Sequence, residues 1–343
     1  MKILIAGQGI AGTMLADVLL RRGAQVRILD GSLPGSSTLP AAGIINPVTG
    51  KRFVKSWRLD EFFSVAHECY QTLERELGVP IWVPYPILRI LGTPEETNDW
   101  AARCALPEYV EYLGESRDAG EWQPFIKQGA GYGVIRQAAR AHFPNLITHF
   151  RKKMAAEGVF EARTVAYEEV PALSRDYDAI VFCEGFRAAE NPFFPDLAWQ
   201  VAKGEALLLR IPGADHVAGM LKKAMTVVPL GDGIFWAGGS YQWHYDDFLP
   251  TAGERDFILN KLNEMLGVPY EITGHVAGVR PTVKDRRPFL GASSIQSNVF
   301  IFNGLGTKGA LLAPYWANHM ADHLLQGTSL DPAVDIRRFA KQV

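Results

Sequence analysis

The stretch GQGIAG places Gly7, Gly9 and Gly12 in GxGxxG spacing. The chemistry this spacing permits is narrow. The first glycine allows a tight turn, the second lets a pyrophosphate approach the backbone, and the third lets a helix and a strand close on each other. Ile10 and Ala11 lie between them, where a helix opens with free N–H groups and partial positive charge aimed at a phosphate. Asp30 follows 18 residues after Gly12, where a carboxylate accepts hydrogen bonds from a ribose. This set binds a dinucleotide and does not by itself separate NAD from FAD. A second candidate stands far away in the chain. GVRPTVKDRRPFLG, residues 278–291, sets Arg280 directly before Pro281, and nothing in its composition demands an arginine there.

The elements that must position these residues follow from the apolar pattern. KILIAG is a short apolar run ending in glycine, the form of a buried parallel strand. A helix follows and stops at Gly23, and QVRILD is the second strand of a βαβ opening. Residues 31–56 are rich in Gly, Ser, Pro and Thr and read as a long functional loop. Phe62, Phe63, Ala66, Tyr70, Leu73 and Leu77 recur at helical spacing, and that helix ends at Gly78 and Pro80. ILRILGTPEE reads as a strand and turn. A helix is expected from about Pro144 to Glu157. VFEARTV, YDAIVFCEG, EALLLRI, IFWAGGS and VFIFNG read as strands, with a hairpin turn at GDG and a last long helix ending near Gly327. Strands buried on both faces thus occur at both ends and in the middle of the chain, with amphipathic segments between them. That suits one sheet assembled from discontinuous pieces, with a second domain inserted.

Bulk composition agrees. At 343 residues two domains are the default. Hydrophobic content of 48% and charged content of 21% describe a soluble globular chain. A net charge of −2 argues against a nucleic-acid partner. Cys69, Cys104 and Cys183 are scattered, with neither disulfide nor zinc spacing, which fits a reducing cytoplasm. No metal cluster and no membrane span is expected. The N-terminus could pass for a signal peptide, but Gly7, Gly9, Gly12 and Asp17 break the apolar run, and it reads as folded protein.

Six ordered segments then resemble one family. TLPAAGIINP, RTV, YDAIVFCEG, VAKGEALLL, GVRPTVKDRRPFLG and FNGLGTKGALLAP are similar to the flavin-dependent D-amino acid oxidase superfamily, most closely its glycine oxidase and sarcosine oxidase branch. The resemblance implies an α/β fold: a Rossmann-like FAD-binding domain (1–79, 141–204 and 276–343) with an inserted α+β substrate domain on an antiparallel sheet (80–140 and 205–275). It implies that Thr38, Ala42 and Gly43 run along the cofactor phosphates and flavin edge, that the Val165 backbone meets the adenine, and that Gly185 closes the second cofactor strand. It places Gly304, Gly306, Thr307, Lys308 and Gly309 in a Gly-rich turn and helix over the flavin pyrimidine. There free N–H groups, helped by Lys308, would stabilise negative charge. It places Arg280 over the substrate side of the ring as a carboxylate clamp, with Tyr241 lining the pocket.

The activity so implied is that of an FAD-dependent oxidoreductase acting on the C–N bond of a small amine or amino acid by hydride transfer to flavin N5. Its electron acceptor stays open between oxygen, a quinone and an electron-transfer protein. Pro40 stands where some relatives attach FAD through His, and no Cys follows the Arg-Pro segment, so non-covalent FAD is implied. Thr226 stands where glycine oxidases carry a tyrosine. Lys51, Arg52 and Lys55 are either a solvated loop or a basic rim selecting an acidic substrate. Two other readings remain open. One is a flavin enzyme trimming a tRNA uridine side chain, which requires the basic clusters at 151–153 and 221–223 to form one face. The other is a non-enzymatic flavin-binding module.

Overall fold

The computed structural model describes residues 1–339. The βαβ opening forms as the pattern predicts: strand Lys2–Ala6, helix Ile10–Arg21 and strand Gln25–Leu29. They belong to a six-stranded sheet in the order Phe160–Glu161, Gln25–Leu29, Lys2–Ala6, Ala179–Phe182, Val299–Asn303, Phe289–Ala292. All neighbours run parallel except the last pair. The apolar runs are continuous because both faces are covered. Ile3 and Ile5 enter a core shared with helices Ile10–Arg21, Leu59–Leu77, Phe143–Ala156 and Gly309–Gln326, whereas Leu4 and Ala6 enter a second core with Val165, Phe182 and Phe289.

The second sheet has eight strands in the order Glu271–Arg280, Ala202–Arg210, Ile234–Gly238, Thr226–Gly231, Met220–Lys222, Ile87–Leu91, Gly131–Ile135, Leu113–Ser116. Its pairings are antiparallel but for one. Met220–Lys222 runs parallel to Ile87–Leu91, where two distant segments of the chain meet. Residues 204 and 276 fall inside its first two strands, which run unbroken through them. One face turns toward the first core; the other is covered by helix Ala252–Asn263 through Ile258 and Leu262. A small three-stranded sheet, Ile44–Ile45, Ala139–Ala141 and Trp82–Pro84, joins the two halves.

Three local expectations are revised. Helix Pro94–Cys104 forms where a turn was expected. Its signal was present: the Thr93 side chain accepts the Glu96 N–H at 3.1 Å, Pro94 opens the helix, and Glu95 and Glu96 occupy the first turn. VFEARTV yields only strand Phe160–Glu161, because it lies at the sheet edge and pairs with two residues, Ile28 and Leu29. The 31–56 loop contains three two-residue strands, Ile44–Ile45, Val48–Thr49 and Val54–Lys55.

Candidate active site

Two cavities of about 220 Å³ each meet at Ile10, Thr38, Gly306 and Gly309, forming one bent cleft between the sheets. The first arm runs over the end of the parallel sheet. Gly7, Gly9, Ala11, Asp30, Val165 and Gly185 line it. The second arm lies against the eight-stranded sheet and is lined by Ala42, Gly43, Thr307, Tyr241 and Arg280. Residues from every part of the chain thus converge, as a parallel sheet directs its strand ends and helix starts to one side.

Both helices that start on the cleft are prepared for negative charge. Neither Ile10–Arg21 nor Gly309–Gln326 has a side-chain cap, and neither has an acid in its first turn. The Ile10 N–H donates to Thr38 Oγ1 at 3.3 Å, tying the 31–43 loop to the first helix start. That loop is clamped from the other side. Trp236 Nε1 donates to the Pro40 carbonyl at 2.9 Å, and the buried Arg140 donates through Nε to the Ala42 carbonyl at 3.2 Å.

Asp30 ends its strand at the cleft. One carboxylate oxygen accepts the Gln8 N–H at 2.6 Å; the other accepts the Ser32 N–H at 2.7 Å and an Arg151 N–H at 3.1 Å. Ser32 Oγ also donates to the second oxygen at 3.3 Å, whereas the first accepts Gln8 alone and keeps an acceptor site for a ribose hydroxyl. Glu184, also on the cleft, is half-buried with its carboxyl turned inward, and desolvation pushes that carboxyl up to about 7 although Asn191 and Tyr167 donate to it.

Arg280 ends strand Glu271–Arg280. Its guanidinium donates to the Ser240 carbonyl at 2.9 Å and stacks over the Tyr241 ring at 4.5 Å. A side chain at Gly204 would meet that guanidinium at 2.1 Å, so the glycine is what lets it lie flat on the sheet. Burial holds it below the ordinary arginine range, and it has no carboxylate partner among the described residues. The loop carrying Ser240 and Tyr241 is fixed by a double backbone pair between Lys203 and Gln242 at 2.9 Å and by Ser240 Oγ accepting the Glu205 N–H at 3.0 Å.

Residues 2–323 match the family described as FAD dependent oxidoreductase. The chain belongs to this family. It is therefore an FAD-dependent oxidoreductase, and FAD is the dinucleotide. Among relatives, the glycine oxidase of Bacillus licheniformis is 23% identical, covering 94% of this chain and 92% of the relative. The tRNA 5-methylaminomethyl-2-thiouridine biosynthesis bifunctional protein MnmC of Azoarcus sp. (strain BH72) is 23% identical over 94% of this chain. This chain spans only 56% of that protein's length. The fold is shared with iminodiacetate oxidase (IdaA) from Chelativorans sp. BNC1, at TM-score 0.78, 20% identity and 98% coverage of both chains. It is also shared with glycine oxidase from Geobacillus kaustophilus, at TM-score 0.76, 20% identity and coverage of 97% and 96%.

The cleft fits FAD on its own geometry. A bent channel with two uncapped helix starts suits a long anionic dinucleotide whose flavin end also gathers negative charge on reduction. Three of the expected cofactor residues do not line it. Gly12 packs against the Gly7 turn, and Gly304 faces Phe289 and Val283. The Lys308 ammonium turns to Ser56 Oγ at 3.0 Å, and burial, with Arg286 and Arg287 nearby, holds it below the usual lysine range. His244 is exposed and Tyr245 packs on Phe248, so Tyr241 alone of that trio lines the cavity. Burial pushes the Cys69 thiol up to about 11 and also raises Cys104 and Cys183, the last of which lines the first arm.

Sequence reasoning missed Gln8, Arg140, Arg151, Glu184 and Trp236. Their signals are long-range pairings without local pattern. One of these carries a measurable pH effect. Glu184 titrates near 4.5 when unfolded and near 7 when folded. Between these values the FAD-free folded protein holds a proton that the unfolded chain has released, so stability falls as pH rises through that window. Glu184→Gln removes this slope. The unfolding free energy of the FAD-free variant, from denaturant titration, should match wild type below about pH 4.5 and exceed it above pH 7, by at most about 3 kcal/mol. Parallel pH profiles for the two proteins would exclude this account.

Proposed function

We propose that this oxidoreductase oxidises the C–N bond of a small amino acid or N-substituted amino acid held by its carboxylate. The reading rests on Arg280, a half-buried guanidinium without an acidic partner among the described residues, laid flat on the floor of the second arm of the cleft. Its planar fork makes two parallel hydrogen bonds to a carboxylate. Tyr241 holds the guanidinium from the mouth of the cavity. Relatives named for glycine and iminodiacetate support an amine bearing a carboxylate.

In this reading Gly9, Ile10 and Ala11 hold the pyrophosphate, Asp30 the ribose and Val165 the adenine, while Ala42, Gly43, Gly306 and Thr307 border the flavin. With no His or Cys in the attachment neighbourhoods, FAD is held without a covalent bond. When bound, FAD supplies the two-electron acceptor that takes hydride from the carbon beside nitrogen. The protein's task is orientation: Arg280 fixes the carboxylate, and Trp236 and the clamped 36–43 loop restrict the substrate and exclude water. The eight-stranded sheet serves as the core of the substrate domain (80–140 and 205–275), although its strands Ala202–Arg210 and Glu271–Arg280 run across the boundaries at 204 and 276, and the segments 1–79, 141–204 and 276–343 serve as the nucleotide domain.

The similarity to a tRNA-modifying protein supports a second reading, but several charges of the basic clusters are engaged within the protein. Arg151 turns to Asp30, Lys153 stands 3.8 Å from Glu76, and Lys223 reaches the Glu264 carbonyl. The deciding experiment mixes the yellow protein anaerobically with a panel of amino acids and N-methyl amines. Bleaching by one or more carboxylate-bearing amines is expected. No bleaching with any of them, together with salt-dependent tRNA binding, would replace this reading with the second.

A further inference from the structure

We propose that Lys222 and Arg89 form a second anion-binding subsite on the sheet face just beyond the Thr226 end of the substrate cavity, so that the substrate carries another anionic group remote from the carboxylate held by Arg280. This rests on the amino acid reading above and deepens it.

The geometry comes from sheet register. Val276 lies opposite Ala206, Ala206 opposite Gly238, and Gly238 opposite Thr226. All four line the cavity. The same row continues without a register shift: Thr226 is opposite Lys222, and Lys222 is opposite Arg89. Residues directly opposite share a face, with Cβ atoms about 4.5–5.5 Å apart. Lys222 and Arg89 therefore follow Thr226 on the cavity side of the sheet, just beyond the residues that line the cavity. The alternation on these strands agrees. Met220, Ile87 and Leu91 belong to the core on the cavity side, whereas Leu221, Leu88 and Ile90 belong to the core behind the sheet.

The charges around the pair are unbalanced. Burial, and secondarily Arg89, depress the Lys222 ammonium to about 8, and no acid acts on it. Arg89 has one acid near it, Glu96 of helix Pro94–Cys104, at 3.8 Å, and its buried Nε has no partner. Glu96 is itself engaged by the Gly92 N–H at 2.6 Å. Phe53 lies against the Arg89 guanidinium at 5.0 Å and is met edge-on by Trp100, which closes this end with apolar rings. Glu115, opposite Gly133 at the outer end of the row, is exposed. Two like charges side by side on a partly buried sheet face destabilise the empty protein, and an anion between them removes that cost. The basic loop does not provide this. Lys55 pairs with Asp60 at 2.7 Å and lies over Tyr112, and Lys51 and Arg52 are exposed.

Spacing selects the ligand. The Arg280 guanidinium lies over Gly204, three strands from Met220–Lys222. Three strands at about 4.8 Å each, with the two-residue offset of about 7 Å between Gly204 and Ala206, put the two anchors roughly 16 Å apart at the backbone, less once the Lys222 side chain leans inward. The substrate class is thus an amino acid or N-substituted amino acid with a carboxylate or phosphonate several carbons away.

The test uses FAD-loaded protein and unreactive probes, adipate and its half-amide, with binding followed by flavin absorbance perturbation and calorimetry. Wild type should bind adipate about tenfold or more tighter than the half-amide, the worth of one charge-assisted contact. Lys222→Met should abolish this preference and leave half-amide binding unchanged, and Lys222→Arg should retain it. Lys222→Met should also melt no lower than wild type without ligand, which separates lost recognition from misfolding. Equal binding of the two probes by wild type, or equal weakening of both in Lys222→Met, would overturn the subsite. Arg280→Met should weaken both probes. If it weakens neither while Lys222→Met still removes the preference, the carboxylate clamp fails and the second subsite stands.

Discussion

Arg280→Met is expected to raise the apparent dissociation constant of the best carboxylate substrate about 30-fold or more, from roughly 2–5 kcal/mol lost with a buried charge pair at about 1.4 kcal/mol per tenfold. FAD content should not change, because Arg280 meets the second arm of the cleft and not the first. Met fills similar volume over Gly204, so the sheet should hold. Arg280→Lys should also suffer: a point charge can neither reproduce the fork nor stack on Tyr241 in the same way. Anaerobic flavin bleaching against substrate concentration measures both variants. Bleaching by Arg280→Met at wild-type concentrations would end the clamp reading and favour an amine without a carboxylate.

Gly9→Val should give folded, colourless protein. A side chain at Gly9 would meet only Thr38 Oγ1, at 3.1 Å, and otherwise enter the cleft. The fold tolerates it, whereas a pyrophosphate over the helix start does not. Gly12→Val is different in kind. Its Cβ would stand 1.9 Å from the Gly7 carbonyl oxygen, which is backbone and cannot yield. That variant should lose folded protein as well as FAD. Circular dichroism and the flavin spectrum of the purified proteins separate the cases. A yellow Gly9→Val protein would remove the first helix start from the cofactor site. Flavin that stays with heat-denatured wild-type protein would refute non-covalent attachment.

Much of this architecture was legible because its causes are local. GQGIAG bends at Gly7 and opens a helix wherever it sits in the chain, and strands buried on both faces announce themselves as unbroken apolar runs. Helix Leu59–Leu77 follows its apolar spacing and ends at Gly78. Even the missed helix Pro94–Cys104 had its cap written in TPEE. The resemblance added Arg280 and the Ala42–Gly43 loop, and the structure sets both on the second arm of the cleft.

Local pattern and motif together thus specify a dinucleotide-binding oxidoreductase with an arginine available to a carboxylate. Which charges face the substrate depends on long-range packing instead. The RKK cluster turned its arginine to Asp30, Lys308 turned to Ser56, and the basic loop at 51–55 spent Lys55 on Asp60. Lys222, one charge in a short LKK run, joined the row of Thr226, Gly238 and Ala206. The physical reason is the two-residue period of a strand: a slip of one residue sends every side chain to the opposite face. The register that sets Lys222 beside Arg89 joins segments far apart in the chain, and no local pattern encodes it.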